Sequence, residues 1–102
     1  MERGVEMQID LFGKTDCSKC ASAKRKLDHF LNKWGLVGKV SVNYFDMETI
    51  EGRAEGALRD VMKIPTLIIR DGDRNIARWE GELPHSEEIR LCIENGKDAA
   101  AH

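Results

Sequence analysis

The sequence is short of cysteine and has neither a long apolar run nor a marked excess of charge. Its three cysteines, Cys17, Cys20 and Cys92, are odd in number and too few for the disulfide framework of a small secreted domain. No stretch approaches the roughly 20 apolar residues of a membrane-spanning helix, so we expect no membrane association. The formal net charge is −2 and the lysines and arginines are dispersed, which gives no indication of a nucleic-acid partner.

The first residues contain no hydrophobic segment that would direct the chain out of the cell. Met1-Glu2-Arg3-Gly4 is followed by no long apolar run, so we expect no signal peptide and a cytoplasmic location. In that reducing compartment, a close pair of cysteines serves catalysis or metal binding more often than it forms a structural disulfide. The role of the pair is therefore the main question that the sequence raises.

The length and composition are those of one small domain. The chain has 102 residues, of which 41% are hydrophobic and 33% charged, enough for one modest core and a charged surface. We expect a single domain over residues 1–102, with its core at about 6–96, and a monomer in solution.

The hydrophobic pattern predicts four strands and three helices. The strands are expected over 7–12, 40–45, 64–70 (with Pro65 at its entrance) and 75–80, and the helices over 18–34, 51–62 and a last segment from Pro84 or Ser86. A hairpin turn is expected at Asp71-Gly72-Asp73-Arg74. The order βαβ, α, ββ, α predicts an α/β fold with a four-stranded mixed sheet flanked by three helices.

The apolar stripes of the predicted helices indicate which side of each is buried. In the first helix, Ala23 and Cys20 continue the stripe toward the amino terminus, so we expect Cys20 to be more buried than Cys17. In the second, Gly52 and Gly56 are expected to weaken the helix by up to about 1 kcal/mol each relative to alanine. The three stripes are Leu27, Phe30, Leu31 and Trp34; Ala54, Ala57, Leu58, Val61 and Met62; and Ile89, Cys92 and Ile93.

Asp10 interrupts the apolar run of the first predicted strand. We favour an exposed carboxylate or one at the edge of the sheet, because ionised carboxylates are rarely buried without a partner. The alternative is a partly buried acid near the cysteines that relays protons.

Cys17 and Cys20 lie where the first strand gives way to the first helix. The free N–H groups at a helix start and the positive end of its dipole favour a thiolate, the reactive form of cysteine. Lys14 and Lys19 would stabilise a Cys17 thiolate and Asp16 would oppose it, and we expect the stabilisation to prevail. Cys20, one turn into the helix, is placed to attack a mixed disulfide formed by Cys17, so the pair is predicted to be a redox site.

Three features together make the sequence resemble the thioredoxin/glutaredoxin superfamily. They are the Cys17-Ser18-Lys19-Cys20 unit between a strand and a helix, the Ile64-Pro65-Thr66 segment before the third strand, and the element order, which covers nearly the whole chain. The resemblance implies a thioredoxin-like fold in which Pro65 is a cis-proline that faces the cysteine pair.

The resemblance also implies a mechanism. Cys17 would attack a disulfide in a protein or small-molecule substrate, and Cys20 would resolve the mixed disulfide. Backbone groups of Ile64 and Thr66, on either side of Pro65, would pair with an extended segment of the substrate. No bound cofactor is implied, and the reductant would be glutathione or a flavoprotein of the thioredoxin-reductase type.

Two parts of the chain resemble different branches of the superfamily. Phe12-Gly13-Lys14-Thr15-Asp16-Cys17 is similar to the glutaredoxin approach to the active site, which implies that Lys14 binds the carboxylate of glutathione. A merely solvated Lys14 is an equally good interpretation. Residues 64–69 and 81–83 look more like thioredoxin, so the chain resembles a small glutaredoxin-like thioredoxin.

Two other functions remain open for the same cysteines. In one, Cys17 and Cys20 hold a metal ion or an iron–sulfur cluster, although a zinc site needs four ligands and the sequence has no second close pair. In the other, the chain is an interaction domain whose thiols are idle. Metal content would identify the first, and an unimpaired Cys17→Ser variant would identify the second.

Overall fold

The predicted order of strands and helices is confirmed by a computed structural model that describes residues 7–72 and 74–101, with side chains as far as Glu94. The elements are β1 (Met7–Gly13), α1 (Ser18–Lys33), β2 (Ser41–Asp46), α2 (Ile50–Leu58), β3 (Thr66–Asp71), β4 (Arg74–Glu80) and α3 (Ser86–Ala101). The start of the predicted core at residue 6 and the predicted turn residue Asp73 lie outside the described residues. None of the described helices is long and apolar enough to cross a membrane.

The four strands form one mixed sheet, as the sequence predicts, and their order in it is β2-β1-β3-β4. β1 runs parallel to β2 and the two are connected through α1, whereas β1 pairs with β3, and β3 with β4, in antiparallel fashion. The register places Phe12 opposite Phe45 on one side and Thr66 on the other. The end of β1 therefore lies beside the beginning of β3, which is where the candidate site is found.

Alternation along β1 sends its side chains into two apolar layers. Ile9 and Leu11 pack with α1 and α3, whereas Phe12 packs with Val61 and Ile68 on the side of α2. Full burial of a large apolar side chain contributes about 1.5–3 kcal/mol relative to exposure, so the larger layer carries most of the apolar stabilisation. Its buried members are Met7, Ile9, Leu11, Ala23, Leu27, Leu31, Val40, Leu67, Ile69, Ile89 and Ile93.

The apolar face predicted for α2 is wrong, because the helix meets the sheet through its glycines. Gly52 and Gly56 are buried, and of the predicted stripe only Val61 is buried, while Leu58 is 71% exposed. A Cβ on Gly52 would overlap the carbonyl oxygen at the end of β2, so no larger residue fits at this approach. The helix also ends at Leu58, earlier than predicted, and Asp60 then adopts a left-handed φ of 56°.

Asp10 is buried, against the exposed position that the sequence favours. Its side chain has no exposed surface, because β1 is a central strand covered on both faces. Arg70 Nε donates to Asp10 Oδ2 over 2.6 Å, and Asn43 Nδ2 donates to Oδ1 over 2.8 Å. A carboxylate is tolerated in such a position only with partners of this kind. Both partners are remote in the sequence, at separations of 60 and 33 residues, so inspection of the strand alone does not reveal them.

Candidate active site

The site is built where β1 ends and α1 begins. After Gly13, three exposed residues lead to Cys17, which is the N-cap of α1 with φ −103° and ψ 112°. The Cys17 N–H donates to the Lys14 carbonyl oxygen over 3.4 Å, and the Cys17 carbonyl accepts from the N–H of Ala21 over 3.0 Å. These bonds hold Cys17 at the start of the helix, where the sequence predicts it.

Cys17 has its sulfur at the positive end of α1. Sγ accepts a hydrogen bond from the backbone N–H of Cys20 over 3.1 Å, and the side chain is partly exposed. An N–H donor and the helix dipole both favour negative charge on this sulfur, by about 0.3–1 kcal/mol for the dipole at an exposed site. The charges predicted to act on it are those of three exposed residues close to it in the sequence, Lys14, Asp16 and Lys19.

Cys20 is the inner half of the pair. It is joined to Cys17 by a disulfide, with the two Cα atoms 5.2 Å apart, and it has no exposed surface. The predicted difference in burial between the two cysteines is therefore confirmed. A Cβ on Gly13 would come within 2.8 Å of Cys20 Cβ, so the glycine that ends β1 leaves the space that Cys20 occupies.

Pro65 lies beside the cysteine pair. The Ile64–Pro65 peptide bond is cis, as the resemblance implies, and the Pro65 side chain is buried. The neighbouring residue Thr66 pairs with Phe12 at the end of β1, which places Pro65 next to the strand end that contacts Cys20. The Pro65 carbonyl accepts a hydrogen bond from the N–H of Gly81 over 2.8 Å, which fixes the segment after β4 against this loop.

Ile64 and Thr66, the other two residues predicted to bind substrate, have different surroundings. Thr66 is buried between β1 and β4, and its hydroxyl donates to the Lys63 carbonyl oxygen over 2.6 Å. Its backbone is therefore part of the sheet. Ile64 precedes β3, is only partly buried, and lines a surface groove. Of the two, Ile64 has the backbone that lies outside the strands.

A groove of about 460 Å³ brings Lys14 and Ile64 together. The groove mixes apolar and basic side chains, and it lies between the loop before α1, the start of α2 and the segment that follows α2. Its lining residues are Lys14, Met47, Glu48, Arg53, Val61, Met62, Lys63 and Ile64. The sequence predicts a role for Lys14 but not for Arg53 and Lys63, because these residues join the groove only through the packing of α2.

A second, smaller cavity of about 190 Å³ lies on the α1 side of Pro65. It is lined by Lys19, Ser22, Ala23, Lys26, Pro65, Glu82 and Leu83. Glu82 and Leu83 are site residues that the sequence reasoning missed. The sequence offers only their position directly after Gly81. The structure adds that the Gly81 N–H donates to the Pro65 carbonyl, which brings these two residues to the site.

Cys92 lies on α3, away from the pair, and it is the free cysteine. It is partly buried against the larger apolar layer, where the sequence predicts a core position. Burial raises the pKa of the Cys92 thiol, and the nearby Glu88 carboxylate raises it further. Both effects disfavour the thiolate, so this cysteine is poorly suited to act as a nucleophile.

Among the described residues, no group of three or more histidine, cysteine, aspartate or glutamate side chains is arranged to hold a metal ion. Cys17 and Cys20 supply two sulfurs, and a structural zinc site needs four ligands. The described part of the chain therefore gives the metal-binding alternative no support.

Comparison with known proteins identifies the architecture. Neither a protein-family model nor a curated protein matches the chain. Thioredoxin 1 from the thermophilic eubacterium Thermosipho africanus is 24% identical, with a TM-score of 0.71 over 93% of this chain and 99% of that one. Chloroplastic thioredoxin z is 23% identical, with a TM-score of 0.67 over 86% of this chain and 76% of that one. Oxidised thioredoxin O2 from Arabidopsis thaliana is 16% identical, with a TM-score of 0.70 over 89% and 75%.

At these identities the likeness concerns the arrangement of the backbone. Both the order of the strands and the placement of the three helices around the sheet belong to it. The chain therefore has the thioredoxin fold, with a Cys17–Cys20 disulfide at the start of its first helix.

Proposed function

We propose that this protein is a thiol–disulfide oxidoreductase that reduces disulfides in proteins or small molecules through Cys17 and Cys20. The observation that carries the proposal is the placement of the two sulfurs. Cys17 is the partly exposed N-cap of α1, and Cys20 is fully buried one turn further on, close enough for the two to form a disulfide. One sulfur is therefore accessible to a substrate and the other only to its partner.

The cycle follows from this placement. The Cys17 thiolate attacks one sulfur of a substrate disulfide, the substrate S–S bond breaks, and the second substrate sulfur leaves as a thiolate that takes up a proton. Cys20 then loses its proton and attacks Cys17 Sγ in the mixed disulfide. The first substrate sulfur, which was bonded to Cys17, leaves as a thiolate and is protonated, so the substrate gains two electrons and two protons and the pair is left oxidised.

The protein itself supplies the activation of Cys17. The N–H of Cys20 donates to Cys17 Sγ over 3.1 Å, and the start of α1 adds the positive end of its dipole. Lys14 and Lys19 add positive charge in the same region and Asp16 opposes them. A thiolate is the form that attacks disulfides, so the net effect of these groups is faster attack by Cys17 than by Cys92.

The grooves beside Pro65 are the proposed substrate-binding surface. The backbone of Ile64 would pair with an extended substrate segment, with Pro65 and Thr66 holding the loop in place. Three basic residues, Lys14, Arg53 and Lys63, and one acidic residue, Glu48, line the 460 Å³ groove. The excess of positive charge favours a substrate or reductant that carries carboxylates, as glutathione does.

The reductant is therefore proposed to be glutathione, with a flavoprotein reductase as the alternative donor of electrons. We propose that the protein works as a monomer in the cytoplasm, without a resident cofactor. The cysteine chemistry described above needs no further group.

Thiol trapping across a series of glutathione redox ratios, read by intact mass, tests the proposed function. The protein should carry Cys92→Ser, so that only the pair reports. We expect Cys17 and Cys20 to convert together to a disulfide at an intermediate ratio. A pair that stays reduced at every ratio would overturn the proposal.

Single cysteine variants separate the two roles in the same assay. Cys20→Ser should accumulate a stable glutathione adduct on Cys17, because the resolving thiol is missing. Cys17→Ser should form no adduct, because its remaining thiol is buried. Equal adduct formation by both variants would contradict the assignment of nucleophile and resolving cysteine.

A further inference from the structure

Tyr44 is a polar side chain near the cysteine pair that the proposed cycle does not use. It lies on β2, opposite Leu11 of β1, so it is on the same face of the sheet as α1. The residue is 37% exposed, and the Lys24 ammonium of α1 lies 5.0 Å from the ring centroid. The phenol therefore extends between the edge strand and the first turns of α1.

The Tyr44 hydroxyl and the Cys20 sulfur converge on one point. A Cβ built on Gly13 would lie 3.0 Å from Cys20 Sγ and 3.1 Å from Tyr44 Oη. The glycine thus leaves a small space that the sulfur and the hydroxyl flank. Tyr44 Oη makes no hydrogen bond to the described residues in this disulfide form, so it is available as a donor when the disulfide opens.

The buried acid of the molecule is not placed to serve Cys20. Asp10 shares the face of Phe12, toward α2, whereas Cys20 lies on the face of Leu11, toward the opposite layer. Asp10 is also engaged by Arg70. The proton relay that the sequence leaves open for Asp10 would have to cross the sheet.

We propose that the Tyr44 hydroxyl donates a hydrogen bond to the Cys20 thiolate whenever the Cys17–Cys20 bond is open. This inference rests on the proposed function. During reduction of the disulfide, an incoming thiolate bonds to Cys17 Sγ, the Cys17–Cys20 bond breaks, and its electron pair leaves on Cys20. Tyr44 stabilises that leaving thiolate until water supplies a proton. In the opposite direction, the same bond stabilises Cys20 as it loses its proton to attack the mixed disulfide.

The surroundings of Tyr44 keep it a donor. Burial raises the pKa of the phenol, and the Asp46 carboxylate raises it further, so the hydroxyl stays protonated where a thiol titrates. Of the other charged groups, Lys24 of α1 lies over the Tyr44 ring, and Lys14 and Asp16 are exposed residues of the loop that follows Gly13. These charges are the same in the variants proposed below, so the comparison of Tyr44 with Tyr44→Phe reports the effect of the hydroxyl alone.

Tyr44→Phe, which removes only the oxygen, tests the proposal. In a chain that also carries Cys17→Ser and Cys92→Ser, Cys20 is the single thiol, and its titration can be followed by thiolate absorbance. A hydrogen bond to a charged group is stronger than one between neutral groups, so we expect Tyr44→Phe to raise the pKa of Cys20 by about one unit or more. Val42→Ala is the control. Val42 lies on the same face of β2 as Tyr44 and is 41% exposed, and its replacement keeps the Tyr44 hydroxyl, so the titration of Cys20 should be unchanged.

A redox equilibrium provides the second readout, in a chain with both active-site cysteines and Cys92→Ser. Where Cys20 is ionised in the reduced form, Tyr44→Phe should shift the equilibrium with glutathione about tenfold toward the disulfide, or about 30 mV more negative. At acid pH, where Cys20 is protonated, the two proteins should agree. A change of the same size at every pH would indicate packing and overturn the proposal, as would an unchanged Cys20 titration.

The two proposals fail in different ways. If the pair never cycles with glutathione, the proposed function fails, but the titration of Cys20 still reports whether Tyr44 stabilises its thiolate. If the pair cycles and Tyr44→Phe changes neither the titration nor the equilibrium, only the role of Tyr44 is lost.

Discussion

Arg70 Nε lies 2.6 Å from Asp10 Oδ2, and the two residues sit on the two central strands of the sheet. Asp10 has no exposed surface and Arg70 only 12%. The rest of the guanidinium is also engaged, with Nη2 donating to Gln8 Oε1 over 2.7 Å and Nη1 to the Gly72 carbonyl over 2.9 Å. Arg59 adds a second cation 3.7 Å from the same carboxylate oxygen. The carboxylate is thus the centre of a buried ionic cluster, and its removal leaves positive charge with little access to water.

Asp10→Ala is therefore expected to destabilise the protein by about 3–5 kcal/mol, the usual cost of breaking a buried pair from one side. Urea unfolding measures this as a lower midpoint at an unchanged slope. Arg74→Ala is the matched control, because it breaks an exposed pair with Asp71 at 3.7 Å and should cost less than about 1 kcal/mol. Similar midpoints for the two variants would contradict the buried cluster.

Gly52→Ala distinguishes helix propensity from packing in α2. Propensity alone predicts a gain of up to about 1 kcal/mol, because alanine is the better helix former. The structure predicts a loss of about 1–3 kcal/mol, since the new Cβ would overlap the backbone of Asp46 and the helix must shift. Leu58→Ala, on the exposed outer side of the same helix, should change stability by less than about 0.5 kcal/mol. A stabilised Gly52→Ala protein would show that the close approach is wrong.

Lys14→Met tests the carboxylate-binding role while keeping the length of the side chain. An exposed charge contact is worth about 0.2–1 kcal/mol, so the KM for glutathione should rise by up to about fivefold, with at most a small change in kcat from the positive charge lost near Cys17. Steady-state reduction of a glutathione mixed disulfide gives both constants. Lys39→Met, an exposed lysine before β2, is the control for a general change in charge. If Lys14→Met and Lys39→Met have the same KM for glutathione, Lys14 does not bind its carboxylate and is only a solvated charge.

Cys92 should react slowly with alkylating agents at neutral pH. In a Cys17→Ser, Cys20→Ser chain it is the single thiol, and burial followed by Glu88 raises its pKa in the folded state. The rate with iodoacetamide should therefore reach half its maximum at a higher pH in the folded protein than in urea. Because the folded pKa is the higher one, the contribution of Cys92 to stability is fully present below the ordinary thiol pKa and is lost as the pH rises from that value through the raised folded pKa. Glu88→Gln should remove the smaller part of the difference between the folded and unfolded pKa of Cys92. A pKa that is lower in the folded protein than in urea would contradict the effects assigned to burial and Glu88.

The sequence predicts the structure well where the pattern that determines it lies within one continuous segment. The helical stripe through Leu27 predicts both the buried face of α1 and the burial of Cys20. It was misleading for α2, because periodicity reports which residues are apolar and not how closely a helix approaches a sheet. Leu58, which the pattern places on the buried face, is exposed, and Gly56, which lies outside the predicted apolar stripe, is buried.

Contacts between distant segments were not accessible from the sequence. The burial of Asp10 depends on Arg70, which is 60 residues away, and the strand on which Asp10 lies gives no indication of that partner. Likewise, Tyr44 lies in a strand in which apolar and polar residues alternate, and this pattern assigns it no particular role. Its relation to Cys20 follows from the register of β1 with β2 and from the missing side chain at Gly13.

Both sulfurs of the disulfide belong to the first turn of one helix and its cap, with Cα atoms 5.2 Å apart. Opening this bond requires no displacement of one layer of the fold against another. Oxidised and reduced molecules should therefore have nearly the same size and secondary structure, and differ in the chemistry of a small surface around Cys17. A protein that recognises only one of the two forms must read that surface, and not the shape of the whole molecule.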